Sequence, residues 1–304
     1  MKKIAFLLLI LFSSCTDNVK YINDAIDIME QNSIRQDSVD WDKMRAESLF
    51  KIKEDNSKEN AYFILKGNLN SIGDNHSFFL TKKDQNKIKK DNKELPSLNY
   101  ERIDNQIIYL RIPPFMGDEK QSIDFANYLQ EIIKSLDTNL TEKWIIDLRD
   151  NTGGNMWPMY LGLAPIVNDG ISGYFINSKG EFFNWKYKEN AVYSGKSKLL
   201  EIKNSYLIKA KNPKVAVLIN SRTASSGEAI AVIFKGFPNT KFFGENSFGV
   251  STGNQMFEMN DGAKIVLTTT IFADRTKRIY GGKIEPDLYC SNPREKAIEW
   301  LKNN

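Results

Sequence analysis

A chain of 304 residues is long enough for one large or two modest domains with a real core, and 41% apolar with 26% charged residues is an ordinary globular balance. The formal net charge is only +4, two units of it from Lys2 and Lys3, and no concentrated basic patch appears, which argues against a nucleic-acid partner. A single histidine, two cysteines and no phosphate-loop motif leave no zinc cluster and no nucleotide cradle, so neither a metal nor another cofactor is expected.

Lys2 and Lys3 precede "IAFLLLILF", a run too short to span a bilayer comfortably. Ser13, Ser14 and Cys15 follow. Small residues just before a cysteine resemble the lipobox of bacterial lipoproteins, although Phe12 departs from that pattern. The resemblance implies that residues 1–15 are a signal peptide, that Cys15 is acylated, and that the protein is held to a membrane of the bacterial envelope, facing the periplasm or the outer surface. A plain signal peptide or an anchor helix is the alternative. With Cys15 lipidated, Cys290 is the only thiol left and no internal disulfide can form.

Residues 20–80 read as a small helical domain. Ile22, Ala25, Ile26 and Met29 share one face at a spacing of 3.6. Trp41, Met44 and Leu49 belong to a second helix, capped by Ser38 or Asp40. Ala61, Ile64, Leu65, Leu69 and Ile72 form a third after Ser57. The domain ends in "NSIGDNHSFFL". Residues 81–98 are polar, with acidic breaks in the basic run Lys82 to Lys93, and read as a solvated connector.

From residue 99 to 304 the pattern is that of an α/β core. "QIIYLRI" (Gln106 to Ile112) is a strand stopped by Pro113 and Pro114. Phe125, Ala126, Leu129, Ile132, Ile133 and Leu136 form a helix face, and "KWIIDLR" (Lys143 to Arg149) is a buried strand. Residues 171–210 are aromatic and irregular and read as a β insertion. "VAVLI" (Val215 to Ile219), Lys241 to Gly244 and "KIVLTTTIF" (Lys264 to Phe272) are further strands. Pro293 opens a closing helix through Leu301. Strands alternating with helices predict an α/β sheet.

Three clusters carry the residue types for chemistry. "NSRTASSGE" (Asn220 to Glu228) joins a buried strand to an apolar helix. A strand–turn–helix junction of this kind lifts one hydroxyl above a sheet edge and aims helix-start N–H groups at whatever it attacks. A serine-rich N-cap is the plain alternative. "DLRDNTGG" follows the other buried strand. Gly153 and Gly154 permit positive φ and expose N–H groups suited to an oxyanion, with Asp147 and Arg149 as an ion pair holding the loop. His76, the only histidine, sits in a polar turn and would supply a base of near-neutral pKa.

Together these segments resemble the C-terminal processing peptidases, or tail-specific proteases, and their tricorn-core relatives. "WIIDLRDNTGG" is similar to that family's oxyanion-loop motif, and "VAVLINSRTASSGEAIA" to its nucleophile motif. "FFGENSFGVSTG", "DGAKIVLTTT" and "GGKIEPD", with Pro286 and Asp287, match the segments that follow. The resemblance implies a crotonase-like α/β core behind a helical N-terminal domain, Ser225 as nucleophile, and the N–H groups of Gly153 and Ser226 as the oxyanion hole. The lysine-dyad branch carries its base at a Gly–Lys step that is here Gly249–Val250, and valine takes no proton. The tricorn-like branch uses a histidine in a motif similar to "LNSIGDNHSFF", which points to His76. That branch orients its histidine with a serine and a glutamate, matched here by Asn75 and Tyr280; Glu245 is a further candidate.

The expected activity is that of a serine endopeptidase acting on envelope proteins or peptides. Ser225 would attack the carbonyl, and His76 would take its proton and return it to the leaving amine. The alternative is a peptide- or apolar-ligand-binding module of the same fold with its chemistry lost.

Overall fold

The computed structural model describes the backbone of residues 11–91 and 94–303, and side chains from residue 18 onward. The expectation for Cys15 therefore falls outside the described side chains. The elements begin with α1 (Leu11–Asn32), α2 (Trp41–Glu54), α3 (Lys58–Ser71), β1 (Phe78–Leu80) and α4 (Lys82–Asp91). Next come β2 (Asn99–Arg102), β3 (Ile107–Arg111), α5 (Glu119–Leu136), β4 (Lys143–Asp147) and α6 (Met156–Val167). They are followed by β5 (Gly170–Asn177), β6 (Phe182–Lys188), β7 (Ala191–Ser194), β8 (Ser197–Glu201), β9 (Lys214–Ile219), α7 (Ser226–Phe234) and β10 (Thr240–Gly244). The chain closes with β11 (Thr252–Glu258), β12 (Lys264–Asp274), β13 (Leu288–Tyr289) and α8 (Pro293–Lys302). No described helix is long and apolar enough to cross a membrane.

Two compact units emerge, and their boundaries differ from the division at residues 80 and 99. One unit runs to Ile88 and also takes Asn254–Thr270; the other comprises Lys89–Gly253 and Ile271–Asn304. In the first, α1, α2 and α3 bury Ile22, Ile26, Met29, Ile52, Leu65 and Leu69 together with Ile265 and Leu267 of β12. Asp40 caps α2 by accepting the Lys43 N–H at 3.0 Å, and Ser57 caps α3 by accepting that of Asn60 at 3.1 Å. β1 pairs antiparallel with β12, Phe79 opposite Ile265. Helical periodicity finds the helices, but it cannot find a hairpin nearly two hundred residues away that completes their core. The segment expected as a connector holds α4, a helix with no buried residue.

The second unit contains a six-stranded sheet in the order β13-β10-β9-β4-β3-β2. β3, β4, β9, β10 and β13 run parallel, and β2 is the antiparallel edge. Its central strands β3, β4 and β9 are buried on both faces, which is why they read as continuous apolar runs. Val215, Val217 and Ile219 face a core shared with α5, α6 and α7. Ala216 and Leu218 face Ala297 and Leu301 of α8. α6 escaped the sequence reading because eleven of its twelve residues are buried and the apolar surface has no stripe to detect. The aromatic stretch after it is an antiparallel meander, β5 to β8, with register shifts between Ile171 and Gly173 and between Val192 and Tyr193.

Candidate active site

β4 and β9 lie side by side, Ile146 opposite Val217, so the loops leaving their C-terminal ends meet. Open α/β sheets place functional loops at that end of the strands. Asp147 is fully buried as β4 ends. It accepts the Tyr109 hydroxyl at 2.7 Å and is bridged by Arg149, Nη2 to Oδ2 at 2.6 Å and Nε to Oδ1 at 2.9 Å. The expected ion pair is present and braces the start of the glycine loop.

Asn151 then fixes the loop to its surroundings. Its side-chain amide donates to the carbonyls of Ile112 and Pro113, at 3.1 and 3.2 Å. Its Oδ1 accepts the Gly153 N–H at 3.0 Å, and its carbonyl accepts the Ala224 N–H at 2.9 Å. The two sequence clusters are thus joined through one buried asparagine. Gly153 has φ +104°, and a Cβ there would lie 2.8 Å from Ser225 Cβ and 3.0 Å from the Ser226 nitrogen. Gly227 approaches as closely from the other side, its Cβ position 2.3 Å from the Asn151 carbonyl oxygen. Only glycines allow these two backbones to touch.

Ser225 ends the turn after β9 with φ +52° and ψ −117°, and α7 begins at the next residue. A non-glycine residue in that region costs on the order of 1–3 kcal/mol, so the surroundings must impose it. The Ser225 N–H donates to Glu228 Oε2 at 2.9 Å. Ser226 differs from its neighbour: its side chain is buried and its hydroxyl donates to the Gly154 carbonyl at 2.6 Å. Its own N–H lies at the first position of α7, where no intrahelical acceptor exists.

Glu228 is fully buried, and no ion pair to it is found among the described residues. Besides Ser225 it accepts the Ser247 hydroxyl at 2.5 Å and the N–H groups of Gly249 and Val250 at 2.9 and 3.0 Å. Burial pushes its carboxyl above the usual range, against the pull of those bonds. Nothing but its position three residues after Ser225, where a capping glutamate falls, would have singled it out in the sequence.

In the helical unit, His76 follows Asn75, which has φ +58°. Asp74 organises the turn by accepting the N–H groups of His76 and Ser77 at 2.9 and 2.8 Å and the Ser77 hydroxyl at 2.5 Å. Asn254 Nδ2 donates to the His76 carbonyl at 2.9 Å. Burial holds the imidazole pKa below its ordinary value, with the Asp74 charge opposing that shift. Tyr280 donates its hydroxyl proton to Asp274 Oδ2 at 2.8 Å, leaving only oxygen lone pairs for any further partner. It therefore has no proton left with which to orient an imidazole as a donor. Glu245 is exposed beyond the end of β10. No cluster of metal-ligating side chains occurs among the described residues.

A model of peptidase family S41 matches residues 106–290, which hold both loops and the serine turn. The nisin-resistance protein of Lactococcus lactis subsp. lactis is 31% identical over 285 residues, 93% of this chain and 87% of that protein. The carboxy-terminal processing protease CtpA of Bacillus subtilis (strain 168) is 28% identical over 216 residues, 70% of this chain but only 41% of that protein. A solved lipoprotein from Streptococcus agalactiae superposes with a TM-score of 0.79 at 28% identity, covering 94% of this chain and 96% of that one. The photosystem II D1 C-terminal processing protease shares the fold at a TM-score of 0.61 and 13% identity, over 90% of this chain and 93% of that one.

Proposed function

Because this chain belongs to peptidase family S41, and is with it a serine-type peptidase acting on peptides or proteins, we propose that Ser225 is its nucleophile and His76 its general base. The observation that carries the reading is the backbone of Ser225. A serine held at φ +52° between a buried strand and a helix start is the strained turn that exposes a nucleophilic hydroxyl. Ser225 Oγ attacks the scissile carbonyl, and its proton passes to His76 and then to the leaving amine. Water repeats the cycle on the acyl-enzyme.

His76 is assigned by chemistry and motif: it is the only histidine, and Val250 stands where the lysine-dyad pattern has its base. Its depressed pKa keeps the imidazole neutral and able to accept a proton. The Ser226 N–H, at the positive end of α7, serves the oxyanion. Gly153 is the second donor, by exchanging its present bond to Asn151 Oδ1 for the oxyanion or by sharing it.

The protein acts at the bacterial envelope, anchored through Cys15, a reading supported by the likeness to a streptococcal lipoprotein. The likeness to a nisin-resistance protein makes nisin the first substrate to test. A fluorophosphonate probe, with the modified peptide mapped by mass spectrometry, tests the nucleophile. Labelling at Ser225 that disappears in Ser225→Ala supports the reading. Wild-type protein that neither labels nor cleaves a peptide favours a binding module.

A further inference from the structure

Glu228 does more than a helix cap requires. A capping-box glutamate need accept only the backbone N–H of the cap residue. Here a fully buried carboxylate, with no counter-ion among the described residues, takes four donors from two separate segments: the Ser225 N–H on the turn before α7, and the Ser247 hydroxyl with the Gly249 and Val250 N–H groups on the loop after β10. Taking a carboxylate out of water costs several kcal/mol unless its lone pairs are filled, so every one of these donors is held by the charge. The loop is tied down at further points. The Phe248 N–H donates to the Thr223 carbonyl at 2.8 Å, and Ser247 exchanges bonds with Ile284, N–H to carbonyl at 3.0 Å and Ile284 N–H to hydroxyl at 2.7 Å.

We infer that Glu228 is a positioning residue for the reaction: its carboxylate holds the Ser225 N–H, keeps that serine in its left-handed conformation, and clamps the Ser247–Val250 loop against the same turn. The inference rests on Ser225 as the nucleophile. It gives a second meaning to Val250, whose backbone N–H fastens the loop at a step where a lysine-dyad enzyme carries its base. A neutral amide cannot replace the carboxylate. Glu228→Gln keeps the size but turns one oxygen into a donor, which would face the Ser225 and Val250 N–H groups at the Oε2 place or the Gly249 N–H at the Oε1 place, so at least one backbone donor loses its acceptor.

The test uses the purified full chain as wild type, Glu228→Gln and Ser247→Ala. Three quantities are read: the second-order rate of fluorophosphonate labelling at Ser225, amide hydrogen exchange in peptides covering 222–228 and 245–252, and the thermal melt. The expected result for Glu228→Gln is a cooperative melt, unchanged exchange in β4 and α5, exchange at least about tenfold faster in the two named segments, and labelling at least about tenfold slower. A purely structural carboxylate would lower the melt without slowing labelling in molecules that remain folded. Unchanged labelling and exchange in a folded Glu228→Gln protein overturns the inference.

If Glu228→Gln fails to fold, Ser247→Ala decides. It removes one donor and leaves the charge, and faster exchange confined to both segments upholds the clamp while no change overturns it. If wild type does not label at Ser225, the nucleophile assignment falls separately. The exchange measurement still judges the clamp: loss of protection in both segments of Glu228→Gln supports it, and unaltered protection overturns it.

Discussion

Adjacent serines with opposite surroundings set the first expectation. Ser226 spends its hydroxyl proton on the Gly154 carbonyl, whereas Ser225 carries the strained backbone of the turn. Ser225→Ala should abolish peptide hydrolysis and probe labelling with folding intact. Ser226→Ala leaves the N–H of residue 226 in place and should retain a substantial part of both. His76→Ala should lower kcat/KM by roughly 10²–10⁴-fold. The sign of the pH dependence follows from burial. Desolvation disfavours the imidazolium, so the base loses its proton at lower pH than an exposed histidine does. The acid limb of the kcat/KM profile should therefore fall below the ordinary histidine value of about 6.5, and a limb above it would contradict His76 as the base.

At the scale of elements, the glycine loop after β4 and the turn before α7 pack backbone to backbone. Gly227→Ala would push a methyl into the Asn151 carbonyl, with 2.3 Å available. Two main chains must then part, and a destabilisation of about 1–3 kcal/mol is expected, read as a lower urea midpoint at unchanged m-value. Gly153→Ala combines φ +104° with a clash against Ser225 Cβ. Because it would displace the proposed oxyanion donor as well as the proposed nucleophile, it should cost at least about 10²-fold in rate. The ion pair of Asp147 and Arg149 supports the same loop from below, where the Tyr109 hydroxyl completes the carboxylate's partners.

At the scale of the molecule, the helical unit depends on a hairpin supplied from far along the chain. Asp261, in the turn between β11 and β12, accepts the hydroxyls of Tyr21 at 3.0 Å and Tyr62 at 2.7 Å and pairs with Lys58 at 2.9 Å. Burial alone would raise its pKa, but those partners outweigh it and bring it down to about 2. A depressed carboxyl pKa contributes stability that is present above the unfolded value of about 3.9 and disappears as pH falls toward the folded value. The melting difference between wild type and Asp261→Asn should therefore be largest near pH 5–7 and close as pH approaches about 2, given the folded-state value. A fragment ending at Ile88 lacks Ile265 and Leu267 and the strand that pairs with β1. It should show helical far-UV circular dichroism without the near-UV signal of a packed core. The Cys15 anchor is tested on the whole protein too: Cys15→Ser should move it to a soluble fraction or leave the precursor uncleaved. An intact leader with unmodified Cys15 in the wild type would refute lipidation.

The sequence by itself determined the parallel strands β3, β4, β9 and β10, most of the amphipathic helices and both loop motifs, because these are written in local periodicity and in short runs of glycine and hydroxyl residues. Asp40 and Ser57 as caps, and Pro293 as the opening of α8, belong to the same local class. Only the tertiary structure decided what depends on distance along the chain. It assigned residues 254–270 to the helical unit, joined the glycine loop to the serine turn through Asn151, and committed the Tyr280 hydroxyl to Asp274. It also revealed Glu228 as the acceptor for two segments. Pairwise hydrogen bonds between remote segments leave no period in a sequence, and a buried carboxylate looks like any surface glutamate until the donors around it have been brought together.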